Sequence, residues 1–219
     1  MRATFTKSRL EAFTDGVLAI IITIMVLEMK VPHHAEHLAD LRPLIPVFLS
    51  YALSFVYVGI YWNNHHHMLQ ATHRVTGGIL WANLHLLFWL SLIPFATGWM
   101  GENHFAPATM ALYGVVLLAS ALAYSLLQWR IVRVHGNESA LARAVSHDAK
   151  GRLSPVLYVC AIGLAFVSEW LAGALYVAVA LMWLVPDRRI ERDACERIPH
   201  AAGLRIRSPS RTTLIFPGP

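Results

Sequence analysis

Repeated long apolar segments are the feature that most constrains this chain. Six windows are apolar over lengths that approach or reach that of a membrane span: roughly 10–29, 44–61, 79–100, 106–129, 155–166 and 171–185. A helix that crosses the hydrocarbon core of a bilayer needs about 20 such residues, so the last two windows are short. Only a short gap with the polar pair Ser168 and Glu169 separates them, which predicts a tight helical hairpin. We therefore predict an all-α integral membrane protein with six transmembrane helices.

The low content of charged residues supports this fold class. Charged residues make up 14% of the 219 residues and apolar residues 56%, whereas an ordinary soluble domain contains about 25% charged residues. Six spans leave no room for a sizeable soluble domain. We predict a transmembrane domain over 1–186 and a basic, disordered cytoplasmic tail over 187–219, where arginine, proline and serine replace the apolar pattern.

The lysines and arginines predict the orientation in the membrane. With six spans, 16 of the 18 basic residues fall on one side, and only Lys30 and Arg42 fall on the other. Basic residues accumulate on the cytoplasmic side of membrane proteins, so both termini are predicted to be cytoplasmic in a multi-pass protein of the cell (inner) membrane. The net charge of +5 does not indicate nucleic-acid binding, because these residues form no patch on a folded polar surface.

The first helix carries ionisable and hydroxyl residues inside its apolar segment. Arg9, Thr14 and Asp15 lie near its beginning, and ionisable residues within a span are costly unless they meet a partner or an aqueous path. Two interpretations remain open for these three residues. They form a structural polar network between helices, or they gate or conduct ions directly.

Further along the same helix, Ile20, Ile24 and Leu27 recur at positions i, i+4 and i+7, with Thr23 beside them. This spacing places the three apolar residues on one stripe of the helix. Periodicity alone indicates helix packing or lipid contact. If the stripe faces a symmetry axis, however, each residue becomes a ring, and such rings can gate a pore by dewetting.

The second helix ends in a polar cluster, Trp-Asn-Asn-His-His-His at 62–67. Consecutive helical residues point about 100° apart, so His65, His66 and His67 cannot all bind one metal ion. Asn63 or Asn64, with one of these histidines, is predicted to satisfy Asp15. A pH-sensing role and a metal site are the alternatives. In the third helix, Asn83 and His85 are predicted to bond between helices.

The remaining sequence shows no enzyme motif. It contains no phosphate-binding loop, no catalytic triad and no zinc-protease helix, so the chain is predicted not to be an enzyme and to need no cofactor. The loop residues His33, His34 and His37 have spacings that could hold a weak surface transition metal, with His33 and His37 as ligands. A solvated loop is the default for this segment.

Three motifs resemble a known family. Arg9, followed by Phe13-Thr14-Asp15-Gly16 and an apolar run to Leu27, resembles the signature that opens the first helix in the bacterial branch of the transmembrane protein 175 family, relatives of the lysosomal potassium channel. The usual triplet of that family is Phe-Ser-Asp, so Thr14 conserves the hydroxyl. The segment 62–66 and the short final hairpin that ends at 186–189 are similar to the family as well.

The resemblance implies a potassium-permeable cation channel built from four identical chains. In that family the first helix lines the pore at the axis of the homotetramer, and there is no re-entrant selectivity filter. By its position in the sequence, Ile20 corresponds to the hydrophobic constriction of that family. Ile24 and Leu27 correspond to the next layers outward, and Thr23 to the adjacent hydroxyl layer. The polar network that holds the first helix falls on Arg9, Phe13, Thr14 and Asp15, with a histidine from 65–67 as partner.

Rings of isoleucine offer no oxygen ligand, so the expected selectivity is weak. Potassium loses water more readily than sodium, and the Thr23 hydroxyl would replace part of the lost hydration. A competing hypothesis is a proton-coupled secondary transporter that uses Asp15 and the histidines of 65–67 as a relay. A third is a membrane metal-binding protein built on the two histidine clusters.

Overall fold

The computed structural model describes residues 6–32, 37–136, 141–142 and 148–184. The first compact unit of the chain, Met1–Val185, contains all of them. The second unit, Pro186–Pro219, and with it the whole of the predicted basic tail, lies outside the described residues. The elements with defined bounds are, in order, α1 (Lys7–Leu27), a 3-10 helix (Leu38–Leu44), α2 (Ile45–Gln70), α3 (Gly77–Ser91), α4 (Ile93–Glu102), α5 (Pro107–His135), α6 (Ala149–Ala165) and α7 (Glu169–Leu184).

The prediction of an all-α chain is confirmed for these ranges. Four helical stretches are long and apolar enough to cross a membrane, namely Lys7–Leu27, Leu38–Gln70, Gly77–Glu102 and Pro107–His135. They correspond to the first four apolar windows. The last two windows form α6 and α7, which have 17 and 16 residues and are joined by a short turn at 166–168. The predicted hairpin is therefore present, and its two helices are shorter than the four long stretches.

The third helical stretch, Gly77–Glu102, is one candidate span, as predicted, but it is interrupted within the apolar window. The helix breaks at Leu92, which ends α3 and begins α4. Pro94 follows in the first turn of α4. A proline ring has no backbone N–H and clashes with the carbonyl four residues earlier, so Pro94 cannot continue α3. The apolar stretch is therefore formed by two consecutive helices, α3 and α4.

Helix α1 lies at the edge of the bundle. It contacts α2, α3 and α4, whereas α5 packs between α3 and the hairpin formed by α6 and α7. Helix α2 packs mainly on α4 and also contacts α7. The interior of the chain is thus formed by α2 to α7, and α1 is held against it by one face only.

Tyrosine hydroxyl groups join the helices inside the bundle. Tyr57 on α2 donates to the carbonyl of Tyr176 on α7 at 2.6 Å, and Tyr176 donates to the carbonyl of Met110 on α5 at 2.9 Å. Tyr113 on α5 and Ser54 on α2 share a hydrogen bond of 2.9 Å. Among the described residues, every buried polar side-chain atom has a hydrogen-bond partner. These bonds matter because hydrocarbon provides no water to satisfy the groups instead.

Gly114 on α5 gives a test of this packing. A Cβ atom at Gly114 would collide with the hydroxyl of Tyr176 and the side chain of Ile162. We expect Gly114→Ala to lower the free energy of unfolding by about 1–3 kcal/mol, the usual effect of overpacking, as measured by thermal unfolding of the purified protein. Gly163→Ala on α6 is the matched control, since a Cβ there meets nothing within 4 Å. Equal melting temperatures for the two variants would contradict the packing described here.

Candidate functional site

Helix α1 has one buried face and one exposed face. Its buried residues are Leu10, Thr14, Leu18, Ile21 and Met25. On the other side, the exposed fractions are 53% for Phe13, 58% for Ile20, 41% for Ile24 and 78% for Leu27. These four residues follow one another at helical spacing, so they form a continuous apolar strip, which we call the exposed stripe. An apolar strip of this length on a helix must meet lipid or another protein surface.

Thr23 lies beside the exposed stripe, between Ile20 and Ile24 in sequence. Its hydroxyl donates a hydrogen bond of 2.9 Å to the carbonyl of Ile20, and the side chain is exposed. The hydroxyl hydrogen is therefore committed to the backbone. The lone pairs of the oxygen remain able to accept a hydrogen bond or to contact a cation.

Three buried polar side chains fix the opposite face of α1 to the bundle. The amide nitrogen of Asn83 on α3 donates to the hydroxyl of Thr14 at 3.0 Å, and the amide oxygen of Asn83 lies 2.7 Å from Nε2 of His65 on α2. The exposed fractions of the three residues are between 0% and 3%. Since the amide oxygen can only accept, Nε2 of His65 carries the hydrogen. We call Thr14, Asn83 and His65 the polar anchor.

Asp15, the neighbour of Thr14, has a separate partner. The indole nitrogen of Trp62 on α2 donates to its carboxylate at 3.1 Å. The Trp62 ring stacks on the ring of His66, with centroids 6.1 Å apart and planes at 21°. His66 in turn contacts Gln70, with 2.8 Å between their Nε2 atoms. This second connection between α1 and α2 is more exposed than the polar anchor.

The structure therefore changes the predicted partners of Asp15. An asparagine and a histidine were predicted, but the side chain of Asn64 donates to the carbonyl of Ile60 within its own helix at 2.8 Å. His65 bonds Asn83 rather than Asp15. The bond to Asp15 comes from Trp62, because the indole is long enough to reach across to α1 from the exposed side of α2.

The remaining predicted residues lie where α1 begins and where α2 ends. Arg9 and Phe13 are exposed on α1, and His67 is exposed at the end of α2, where its ring meets the edge of His66. Asn83 was predicted only as an interhelical bonding residue of α3. Its central place in the polar anchor could not be read from the sequence, although it is an amide within an otherwise apolar stretch, and such a residue needs a partner.

An open groove of about 550 Å³ lies beside the exposed stripe, toward the end of α1. It runs between α1 and α4 and is lined by residues that include Ile20, Ile24, Phe95 and Trp99. Beyond it, Lys30 contacts the carboxylate of Glu102 at 2.8 Å. The hydrogen bond and the charge of Glu102 raise the pKa of Lys30, so Lys30 stays protonated at neutral pH. The groove is not closed by the chain itself.

The residues that the structure describes do not support a metal site. No group of three histidine, cysteine, aspartate or glutamate side chains in that part is arranged to hold a metal ion. Of the predicted surface metal site, His33 and His34 lie outside the described residues, and only His37 is described.

Comparison with known proteins connects this geometry to a family. The family model described as "Endosomal/lysosomal potassium channel TMEM175" matches residues 9–94, which contain most of α1 and all of α2 and α3. A potassium channel of Chryseobacterium sp. (strain P1-3) is 54% identical over 191 residues, which are 87% of this chain and 99% of that channel. A potassium channel of Streptomyces collinus is 32% identical and shares 81% of this chain and 91% of its own length.

The fold is also similar to a solved structure. The crystal structure of a lysosomal potassium-selective channel TMEM175 homolog from Chamaesiphon minutus matches with a TM-score of 0.72 and 29% identity. The match covers 82% of this chain and 96% of that one. The similarity therefore extends over nearly the whole of the channel used for comparison.

Proposed function

The chain belongs to the TMEM175 family, and on that premise we propose that it forms a potassium-permeable, weakly selective cation channel. The relatives that match over most of their length are named potassium channels. The chain is accordingly a transport protein and not an enzyme. It is a multi-pass membrane protein, as its apolar helices indicate.

The observation that carries this proposal is the two-sided character of α1. One face is fixed to the bundle through the polar anchor, and the opposite face exposes an apolar stripe to the outside of the chain. One helix cannot enclose a pore, so we propose that four chains assemble around an axis with their stripes facing it. Such assembly would also cover much of the apolar surface that a single chain leaves open.

In this arrangement Ile20 forms the hydrophobic constriction, and Ile24 and Leu27 form the next layers outward. A cation passing four isoleucine side chains finds no oxygen ligand and must keep or briefly lose part of its water. Potassium is dehydrated more easily than sodium, so potassium passes preferentially but by a small margin. The exposed oxygen of Thr23 offers partial replacement for the lost water, without a re-entrant filter.

We propose that the polar residues at the other end of α1 hold the pore helix in register and influence gating. The set is Arg9, Phe13, Thr14, Asp15, Asn64, His65, His66 and His67. Thr14 and His65 have the strongest support, since both are buried and joined through Asn83. Asp15 is linked through Trp62 to His66. Asn64 has the weakest support, because its side chain bonds within α2.

The membrane topology completes the proposal. Helices α6 and α7 have 17 and 16 residues, which at 1.5 Å per residue gives about 25 Å, slightly less than the roughly 30 Å hydrocarbon core. We propose that they cross the bilayer as a short hairpin, giving six spans in residues 1–186. Both termini are then cytoplasmic, the protein lies in the cell (inner) membrane, and 187–219 form a basic tail. No cofactor is proposed.

Planar-bilayer recording of the purified protein tests the function directly. With potassium on one side and sodium on the other, we expect discrete unitary currents with a reversal potential displaced in favour of potassium. Native mass spectrometry should give four times the chain mass of 24.5 kDa. Absence of unitary currents, together with pH-driven uptake into liposomes, would instead support the proton-coupled transporter with Asp15 and the histidines of 65–67 as the relay.

A further inference from the structure

A cluster of arginine and tryptophan lies at the end of the bundle where α5 finishes. Trp129 is 49% exposed, and the guanidinium carbons of Arg130 and Arg133 lie 5.2 Å and 5.1 Å from the centre of its ring. Both arginines are exposed. Guanidinium groups at such distances are attracted to the face of an indole ring, so the three side chains form one amphipathic surface.

His135 brings a third arginine to the same place. Its Nε2 atom accepts hydrogen bonds of 3.1 Å from the backbone N–H groups of His73 and Arg74, in the loop between α2 and α3. Its Nδ1 atom lies 2.9 Å from the carbonyl of Ile131 on α5, so Nδ1 carries the hydrogen. The loop is thereby tied to the last turn of α5, and Arg74 is exposed beside it.

The beginning of α3 completes this surface. A guanidinium nitrogen of Arg130 lies 3.7 Å from where a Cβ atom of Gly78 would be. Trp81, one turn further along α3, is 75% exposed. We call the surface formed by Arg74, Trp81, Trp129, Arg130 and Arg133 the arginine–tryptophan corner.

The position of the corner relative to the membrane follows from its tryptophans. Tryptophan collects where the hydrocarbon meets the headgroups of a bilayer. Trp129 lies where the apolar segment of α5 gives way to basic residues, and Trp81 lies in the first turns of α3. The guanidinium groups of the corner are therefore at headgroup depth. Among the described residues, none of the three arginines has a carboxylate within 4 Å, since the ion pairs found there are Lys7–Glu11 and Lys30–Glu102.

We propose that the arginine–tryptophan corner is a binding site for the headgroup of an anionic phospholipid. The planar guanidinium group matches the geometry of a phosphate and binds it through two parallel hydrogen bonds. The three guanidinium groups have no carboxylate partner among the described residues, and at headgroup depth they complement the negative charge of the phosphodiester. The exposed parts of the Trp129 and Trp81 side chains provide the apolar surface that an acyl chain requires and a soluble anion does not. The occupant is therefore a lipid rather than free phosphate.

Native mass spectrometry of the full-length protein tests this site without reference to conduction. The protein is released from micelles that contain equal amounts of phosphatidylglycerol and phosphatidylcholine, and the retained lipids are counted. We expect the wild-type protein to retain phosphatidylglycerol preferentially. In the double variant Arg130→Gln/Arg133→Gln, the preference should fall by about five-fold for each arginine removed.

Arg42→Gln is the matched control, because it removes one exposed positive charge near the beginning of α2, at the opposite end of the bundle. We expect it to leave the lipid preference unchanged. Arg130→Lys/Arg133→Lys keeps the charge without the planar fork and should give an intermediate value. Equal retention of both lipids by the wild-type protein, an unaffected double variant, or displacement of the lipid by inorganic phosphate would each overturn the proposal.

Discussion

Replacing Ile20 with asparagine should raise the unitary potassium conductance on the order of ten-fold and move the permeability ratio of potassium to sodium toward one. Ile20 is 58% exposed on the face of α1 that the bundle leaves free. Four amide groups in place of four isoleucines would wet the constriction and supply oxygen ligands to either cation. A barrier lowered by about 1.4 kcal/mol gives a ten-fold higher rate. Bilayer recordings under potassium and sodium gradients measure both quantities.

Val159→Asn is the control for this experiment. Val159 lies on α6 and is 57% exposed, so the same polar group is introduced on a helix surface with nearly the same exposure but away from α1. We expect its conductance and reversal potential to match those of the wild-type protein. If Ile20→Asn also leaves both unchanged while the channel conducts, Ile20 is not in the constriction and the stripe does not line the pore.

The sequence was most informative about where the helices lie. The first four apolar windows predicted the four long helical stretches because a membrane span requires a continuous apolar segment, and that requirement is local. The break at Leu92 was missed for the same reason. Pro94 follows it within a uniformly apolar window, and neither the composition nor the length of the window reveals that the helix is interrupted there.

The sequence was less informative about which residues meet. Ile20, Ile24 and Leu27 were correctly placed on one stripe, but α1 is apolar on nearly every face, so the sequence could not tell which face packs and which is exposed. The family resemblance supplied that choice, and the family match confirms the resemblance. The role of this stripe as a constriction stays a prediction.

Partners that are far apart in sequence were the hardest to predict. Thr14 and His65 were both selected as members of a polar network, yet the residue that joins them is Asn83, which is 69 positions from Thr14 and 18 from His65. Trp62, whose indole bonds Asp15, was read only as part of a motif. Pairings of this kind depend on how α1, α2 and α3 pack together, and no local pattern encodes that.

The polar anchor yields the second large expected effect. Asn83→Leu should lower the free energy of unfolding by about 2–4 kcal/mol, because it removes two hydrogen bonds and leaves the hydroxyl of Thr14 and Nε2 of His65 buried without a partner. Each such buried polar group without a partner costs about 1–3 kcal/mol. Hydrogen bonds between transmembrane helices contribute energies at the lower end of this range. Thermal unfolding of the purified protein measures the change. Since α1 would also lose its anchor, we expect the open probability in bilayers to change in the same variant.

Asn64→Leu separates the loss of the anchor from the general effect of replacing an amide in this region. Asn64 is half-buried on α2, one residue before His65, and its side chain bonds only the carbonyl of Ile60 among the bonds found for it. We expect a change in stability of less than about 1 kcal/mol and a smaller change in open probability than the one produced by Asn83→Leu. Thr14→Val then serves as a third variant, and its effect should not add to that of Asn83→Leu, because both remove the same bond. Full additivity, or an equal loss in Asn64→Leu, would show that Asn83 does not act by linking α1 to the bundle.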